Sequence, residues 1–156
     1  MQDKVYVQLS DFTNQQPTTT LPTAIKFNTN DYLSGVKHSP AGENDKIIIL
    51  ENGIYFLIAG GQVGRESGML LQFVDMWFRV NGKDIANTNT RASLPEGLSI
   101  EDTIVLITQM AMPLSKGDTV QVMFSISDTN VGVGLVATKP IDEPLIPSCI
   151  FTMYKI

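Results

Sequence analysis

Few residues in this chain could carry covalent or acid–base chemistry. The 156 residues include one histidine, His38, one cysteine, Cys149, and 16 aspartates and glutamates. Nucleophilic catalysis of the Ser-His-acid or Cys-His kind needs a histidine base. His38 lies in the loop-like stretch 34-SGVKHSPAG-42, where we expect it to be solvent-exposed, and no Gly-x-Ser-x-Gly motif accompanies it. Cys149 is expected to be a small buried apolar group. We predict that the protein is not an enzyme.

Metal and cofactor sites are also unsupported by the sequence. Structural zinc is usually held by about four Cys or His ligands, and the chain has one of each. The polar clusters 28-NTND-31, 101-ED-102 and 128-DTN-130 contain oxygen ligands that calcium uses, but Asx turns explain them more simply. The glycine-rich stretches 60-GGQVG-64 and 132-GVG-134 lack the Lys-Ser/Thr ending of a phosphate-binding loop. We predict no metal and no cofactor.

The most distinctive cluster is 77-WFRVNGKDIANTNTR-91, which contains the only tryptophan. Trp77 and Arg79 could stack on a sugar ring and hydrogen-bond to it. The same residue types are enriched at the centres of protein interfaces, because tryptophan offers a large contact area and arginine a planar set of donors. The interface is the favoured alternative for Trp77. The candidate ligand or partner loop that follows consists of Asn87, Thr88, Asn89, Thr90 and Arg91.

Composition argues against two further classes of partner. The formal net charge is −5 and the pI is about 4.7, with lysines and arginines scattered, so a nucleic-acid partner is not expected. No apolar run approaches the roughly 18 residues of a membrane span. The first residues, 1-MQDKVYVQLS-10, lack the layout of a signal peptide. We predict a single domain over residues 1–156 with no membrane partner.

The elements that must position these residues are strands. Helical periodicity is almost absent, and short β-rich runs alternate with clusters of Gly, Pro, Asn, Asp and Ser, which is typical of a sandwich or barrel. Asn52-Gly53 and Asn81-Gly82 are predicted to supply positive φ angles for tight hairpins. The predicted strands cover residues 4–10, 23–28, 46–50, 54–60, 72–80, 84–88, 104–112, 119–126, 132–138 and 149–156.

Two of these strands are apolar on both faces. In 119–126 apolar and polar residues alternate, as expected for a strand with one buried face. In 54–60 and 104–112 both alternating sets are apolar. Without covering helices, such strands need a partner surface, and another copy of the chain is the simplest one. We therefore predict a homo-oligomer, with a candidate subunit interface formed by Tyr55, Leu57, Trp77, Arg79, Ile107 and Tyr154.

The order of several segments resembles the jelly roll of tumour necrosis factor (TNF) ligands and of complement globular heads. These segments are 25-IKFN-28, 53-GIYFLIA-59, 79-RVNGKDI-85, 114-LSKGDTVQVMF-124 and 150-IFTMYKI-156. The resemblance spans nearly the whole chain, although each motif alone is common among sandwiches. It implies an all-β, ten-stranded antiparallel jelly-roll sandwich that assembles as a homotrimer.

A narrower resemblance is to head-domain proteins of bacteriophage particles. It rests on Trp77, Arg79, Asn81, Gly82, Asp84, Ile85, Asn87, Gly117, Asp118, Pro147, Ser148, Ile150 and Thr152. It implies a virion protein that is made in the host cytoplasm and contacts capsid or other virion proteins. Because no repetitive stalk precedes the first strand, a capsid decoration or cement protein is expected. The alternative is a receptor- or glycan-binding head of a phage fibre or a bacterial surface protein, with a host-surface glycan as partner.

Overall fold

Two antiparallel β-sheets, packed face to face, make up the computed structural model, which describes residues 3–156. No helix in this part of the chain is long and apolar enough to cross a membrane. The strands are β1 (Tyr6–Asp11), β2 (Thr23–Ala24), β3 (Thr29–Ser34), β4 (Val36–Lys37), β5 (Ile47–Ile49), β6 (Gly53–Gly64), β7 (Gln72–Val80), β8 (Lys83–Asp84), β9 (Thr90–Leu94), β10 (Ile104–Leu114), β11 (Thr119–Ile126), β12 (Gly134–Leu135) and β13 (Cys149–Lys155).

The two sheets differ in which strands they join. The first sheet has the order β10-β6-β13-β1-β3, with β12 beside β6. The second has the order β4-β5-β11-β7-β8, with β2 beside β11 and β9 beside β7. Every strand pair in both sheets is antiparallel. The predicted antiparallel sandwich is therefore confirmed.

The core lies between the sheets and is built from the inward-facing residues of each strand. In β11 the inward set is apolar, so alternation alone directs it to the core. Phe151 of the first sheet contacts Phe78 of the second, with ring centroids 6.3 Å apart, and Phe27, with centroids 6.0 Å apart. These three rings are fully buried and join both sheets to the 25–27 segment.

Strand bounds match the sequence prediction best where the apolar alternation is strict. The bounds of β7 and β11 agree with the predicted strands 72–80 and 119–126. The predicted strand 23–28 is reduced to β2, because pairing with β11 ends at Ile25, whose N–H donates to Val122, and the N–H of Phe27 donates to Asn44 instead. The short, mostly exposed edge strand β3 was not predicted, because its sequence TNDYLS lacks an apolar face.

Two predicted turns have different outcomes. Asn81 and Gly82 have φ angles of 52° and 77°, so the predicted tight turn between β7 and β8 is confirmed. The predicted hairpin turn at Asn52-Gly53 is wrong, since neither residue has a positive φ. This segment leads from β5 of the second sheet to β6 of the first, so it connects sheets instead of closing a hairpin.

The predicted return strand 84–88 is also different. Only Lys83 and Asp84 pair with β7, and pairing resumes at Thr90 in β9. Between them, Asn87 takes a φ of 66°, which interrupts the strand. The predicted strand 132–138 is likewise reduced to β12, a two-residue strand.

Candidate functional site

The outward side of the first sheet is mostly apolar and is uncovered in the single chain. We call it the open face and define it as the outward-pointing residues of β1, β6, β10 and β13. Ile54, Val105 and Ile107 are 54%, 56% and 51% exposed. The register places these members on the same side of the sheet: Tyr6, Gln8, Ser10, Ile54, Phe56, Ile58, Gly60, Gln62, Val105, Ile107, Gln109, Ala111, Pro113, Ile150, Thr152 and Tyr154.

Cross-strand pairing arranges these residues in rows. One row crosses Phe56 and Tyr154, whose ring centroids are 5.5 Å apart. Another crosses Ile107, Gly60 and Ile150. A Cβ built on Gly60 would meet no atom within 4 Å. The glycine therefore leaves a shallow hollow of about 120 Å³, bordered by Val105 and Ile150.

Four of the six candidate interface residues lie in the first sheet, two on each of its sides. Ile107 and Tyr154 lie on the open face, where their interface role stays a prediction. Tyr55 and Leu57 point the other way and are fully buried in the core. The hydroxyl of Tyr55 donates to the carbonyl of Glu51 at 2.7 Å, and burial raises the pKa of Tyr55. These two residues have no surface to offer a partner, so this part of the prediction was wrong.

Trp77 and Arg79 lie on the outward side of the second sheet, where they are held by one carboxylate. The indole N–H of Trp77 and the Nε of Arg79 both donate to Oδ1 of Asp84 at 2.8 Å. Hydrogen bonds from Arg79 and then Trp77 lower the pKa of Asp84. Trp77 is only 8% exposed. The cluster therefore fixes the β7–β8 turn, and the expectation that Trp77 meets another subunit or a sugar is corrected.

We expect acid to weaken the hydrogen bonds that Trp77 and Arg79 donate to Asp84. Because the folded-state pKa of Asp84 lies below its ordinary value of 3.8, its stabilising contribution is present above that pH and is lost as pH falls through the folded pKa. We expect the fluorescence of Trp77 to shift to longer wavelength in that acidic range. Asp84→Ala should show the shifted emission already at neutral pH, whereas Lys83→Ala, in the same short strand, should not. An Asp84→Ala spectrum identical to that of the unchanged protein contradicts this assignment.

The candidate loop 87–91 is only partly available to a ligand. Thr88 is buried, and its hydroxyl accepts a hydrogen bond from the N–H of Phe78 and donates one to the carbonyl of Ile85. Its own carbonyl accepts a hydrogen bond from the Thr108 hydroxyl of the first sheet. Thr88 thus anchors the loop to both sheets, and a ligand role for it is corrected.

The other residues of this loop differ in how far their side chains are available to a ligand. Arg91 forms a two-bond ion pair with Asp75, at 2.7 and 3.0 Å. Its guanidinium also lies 3.7 Å from the ring centroid of Phe73. Thr90 is half-buried, with its hydroxyl 3.4 Å from the carbonyl of Met76. Asn87 and Asn89 are the exposed polar residues that remain in this loop.

His38 is buried, in contrast to the expectation of a solvent-exposed loop histidine. Its Nδ1 is 2.5 Å from Oδ1 of Asn30, and its Nε2 is 2.8 Å from the carbonyl of Asn44. Burial lowers the pKa of His38, although the Asn44 hydrogen bond and the charge of Asp45 act in the opposite direction. Both ring nitrogens are occupied by neighbours, so His38 links strand β3 to the loop that holds Asn44. Among the described residues, no group of three or more His, Cys, Asp or Glu could hold a metal ion.

Cys149 is buried under the 12–28 segment. Burial, followed by the nearby charge of Asp11, raises the pKa of this thiol. We expect no reaction with an aromatic disulfide reagent at pH 8 in the folded protein, and one equivalent after unfolding in urea, because the thiolate is the nucleophile. Ser93→Cys, at an exposed strand position, should react at once. Fast labelling of Cys149 in the folded chain contradicts the burial.

Comparisons with known proteins bear on the fold. No family model matches the chain, and no curated protein matches it. A crystal structure of murine APRIL at pH 5.0 is similar, with a TM-score of 0.62 over 99% of this chain and 100% of that one. The two sequences are 13% identical, so the likeness concerns the fold alone. APRIL has a TNF-family jelly-roll fold. The chain described here therefore has a TNF-like jelly-roll fold.

Proposed function

We propose that this protein is a non-enzymatic structural protein that acts as a homotrimer, assembled through the open face. The observation that carries the proposal is the composition of that face. None of the outward positions of β1, β6, β10 and β13 holds an Asp, Glu, Lys or Arg. Depletion of charge together with aromatic enrichment is typical of the buried core of an interface. TNF-like folds are typically homotrimeric, which favours three copies.

Burial of the open face would supply the free energy of assembly. Fully burying a large apolar side chain contributes about 1.5–3 kcal/mol relative to exposing it. Ile54, Val105, Ile107 and Tyr154 each keep roughly half of their surface exposed in the single chain. Each copy therefore carries several side chains with unburied apolar area. The hollow at Gly60 would accept an apolar side chain of a neighbouring copy.

We place this trimer on a bacteriophage particle, as a capsid decoration or cement protein that contacts capsid or other virion proteins. The support is the sequence resemblance of 77-WFRVNGKDIAN-87 and of the 147–152 segment to phage head-domain proteins. The protein would be made in the host cytoplasm and become part of the virion. A trimer that binds only the assembled shell stabilises that shell by mass action, and three attachment points raise its apparent affinity.

Localisation tests this placement. Particles purified by density gradient should contain the protein at fixed stoichiometry, and gold-labelled antibodies should decorate the capsid surface. Particles that lack the protein should lose their contents at lower temperature than particles that carry it. Absence from purified particles, or labelling confined to fibre tips, contradicts the capsid assignment.

The second candidate function is a receptor- or glycan-binding head, on a phage fibre or a bacterial surface. The observation that favours it is the exposure of Asn87 and Asn89 at a loop anchored by buried Thr88. A glycan array probed with the trimer separates the two candidates. Binding that is lost in Asn87→Ala with Asn89→Ala, but kept in Lys83→Ala, supports the second. No binding above background supports the first.

A further inference from the structure

Two neighbouring loops at one end of the sandwich hold large apolar side chains in solvent. The 65–71 loop joins β6 to β7, and the 95–103 loop joins β9 to β10. Neither loop belongs to the open face. Three of the side chains are consecutive in sequence, whereas surface loops are ordinarily rich in small and polar residues. We call these side chains the apolar tip: Met69 (63% exposed), Leu70 (69%), Leu71 (56%) and Ile100 (51%).

The side chain of Arg65 links the two loops by hydrogen bonds. This arginine is 4% exposed. Its guanidinium donates to the carbonyl of Leu70 and, at 3.0 Å, to the carbonyl of Leu98. The backbone N–H of Gly97 also donates to the carbonyl of Met69 at 2.8 Å. Hydrogen bonds therefore fix the two loops that carry the apolar side chains. This lowers the conformational entropy that the loops would lose on docking.

Burial of the Arg65 guanidinium carries an energetic cost. Within residues 3–156 no carboxylate lies within ion-pair distance of Arg65, and its Nε has no hydrogen-bond partner. A buried charge without a counterion destabilises a fold. What the fold gains from this arrangement is the fixed position of the two loops. Hydrogen bonds from Glu66 and Ser67 to the carbonyl of Val131, at 3.0 and 3.1 Å, fix the first loop further.

The charge around the apolar tip indicates which kind of partner surface would be complementary to it. The two loops carry four exposed carboxylates and no exposed cation, because their one basic residue is the buried Arg65. The carboxylates are Glu66, Glu96, Glu101 and Asp102. They repel an anionic lipid surface and attract lysine or arginine. An apolar centre with a charged rim is the usual layout of a protein interface.

We propose that the apolar tip is a docking surface for a partner protein whose apolar recess is bordered by lysine and arginine side chains. The tip inserts its apolar side chains into the recess, and the four carboxylates pair with the basic rim. Arg65 is a positioning residue, since its guanidinium donates hydrogen bonds to the carbonyls of the two loops. The surface is complete in one chain, and a trimer would present three copies of it.

The test uses a displayed library of random 12-residue peptides selected on the unchanged protein. The expected peptides combine Lys or Arg with Leu, Phe or Trp. Their binding should fall about tenfold or more, which corresponds to about 1.4 kcal/mol, when Met69, Leu70, Leu71 and Ile100 are all replaced by serine. Phe12→Ser with Leu21→Ser, two exposed apolar residues of the 12–22 loop, is the matched control and should leave binding unchanged.

Two further variants keep the test decisive. Replacing the four carboxylates by their amides should weaken peptide binding and remove its salt dependence, even if the serine variant folds poorly. Arg65→Met should weaken peptide binding and speed amide exchange in residues 69–71 without lowering thermal stability. The proposal is overturned if the selected peptides bind the serine variant equally, if no tip-dependent peptide emerges, or if the tip binds phosphatidylcholine vesicles instead. A change of oligomeric state in the serine variant also overturns it, because the tip would then be a contact between copies.

Discussion

Gly60→Arg is expected to convert the proposed homotrimer into a folded monomer. Gly60 lies on the open face between Ile107 and Ile150 of the neighbouring strands, and a Cβ at this position meets no atom within 4 Å. Its φ is outside the left-handed region, so the single chain accommodates a side chain. In an assembled trimer, the same arginine would be buried without a partner. An unpaired buried charge costs about 3–5 kcal/mol, or roughly two to four orders of magnitude in the association constant.

Sedimentation velocity and circular dichroism together measure this effect. The matched control is Ser93→Arg, which adds the same side chain to an exposed strand position of the second sheet. The control should remain trimeric, and both variants should keep the β-sheet spectrum of the unchanged protein. If Gly60→Arg is as trimeric as the control, the open face is not the assembly interface.

Phe151→Ala is expected to lower the free energy of unfolding by about 3–5 kcal/mol, because truncation of a buried phenylalanine removes its transfer free energy and leaves a cavity. Phe151 is fully buried and contacts both Phe27 and Phe78. Its loss therefore weakens the packing between the two sheets. Against a typical total of about 5–15 kcal/mol, this is a large fraction.

Urea unfolding at one protein concentration measures the loss, since the proposed assembly would make stability concentration-dependent. Phe12→Ala serves as the control, because Phe12 is 58% exposed and surface substitutions usually change stability by less than about 0.5 kcal/mol. Equal effects of the two substitutions would show that the rings around Phe151 do not form the core.

Strands that alternate strictly could be predicted from the sequence. In β11 the inward set Val120, Val122, Phe124 and Ile126 opposes a more polar set, and the predicted bounds match the structure. The β6 strand was harder, because both of its alternating sets are apolar. The sequence could not tell which set faces the core, so Tyr55 and Leu57 were assigned to the interface although Ile54, Phe56 and Ile58 point outward.

Contacts between distant segments account for the other differences. From its residue type alone, Trp77 is expected at an interface. In the structure, Asp84 lies across the β7–β8 turn and accepts a hydrogen bond from the indole N–H. Thr88 is a polar loop residue by composition, yet its carbonyl accepts a hydrogen bond from Thr108 of the other sheet. His38 is buried by Asn30 and Asn44. No local pattern predicts which polar residues will be satisfied in this way.

The apolar tip illustrates the same limit. Met69, Leu70 and Leu71 form a short apolar run that resembles the start of the following strand. Only the hydrogen bonds of Arg65 to the carbonyls of Leu70 and Leu98 show that the run belongs to a loop with a fixed position. The signal available in the sequence was an arginine next to a glycine-containing turn, which is too common to indicate a docking surface.

We propose that the open face is buried between three copies of this chain. Sedimentation equilibrium of the unchanged protein at micromolar concentration measures this directly. We expect a mass of about 51 kDa, three times the 17.1 kDa of one chain. A stable species of 17.1 kDa at that concentration would contradict the account.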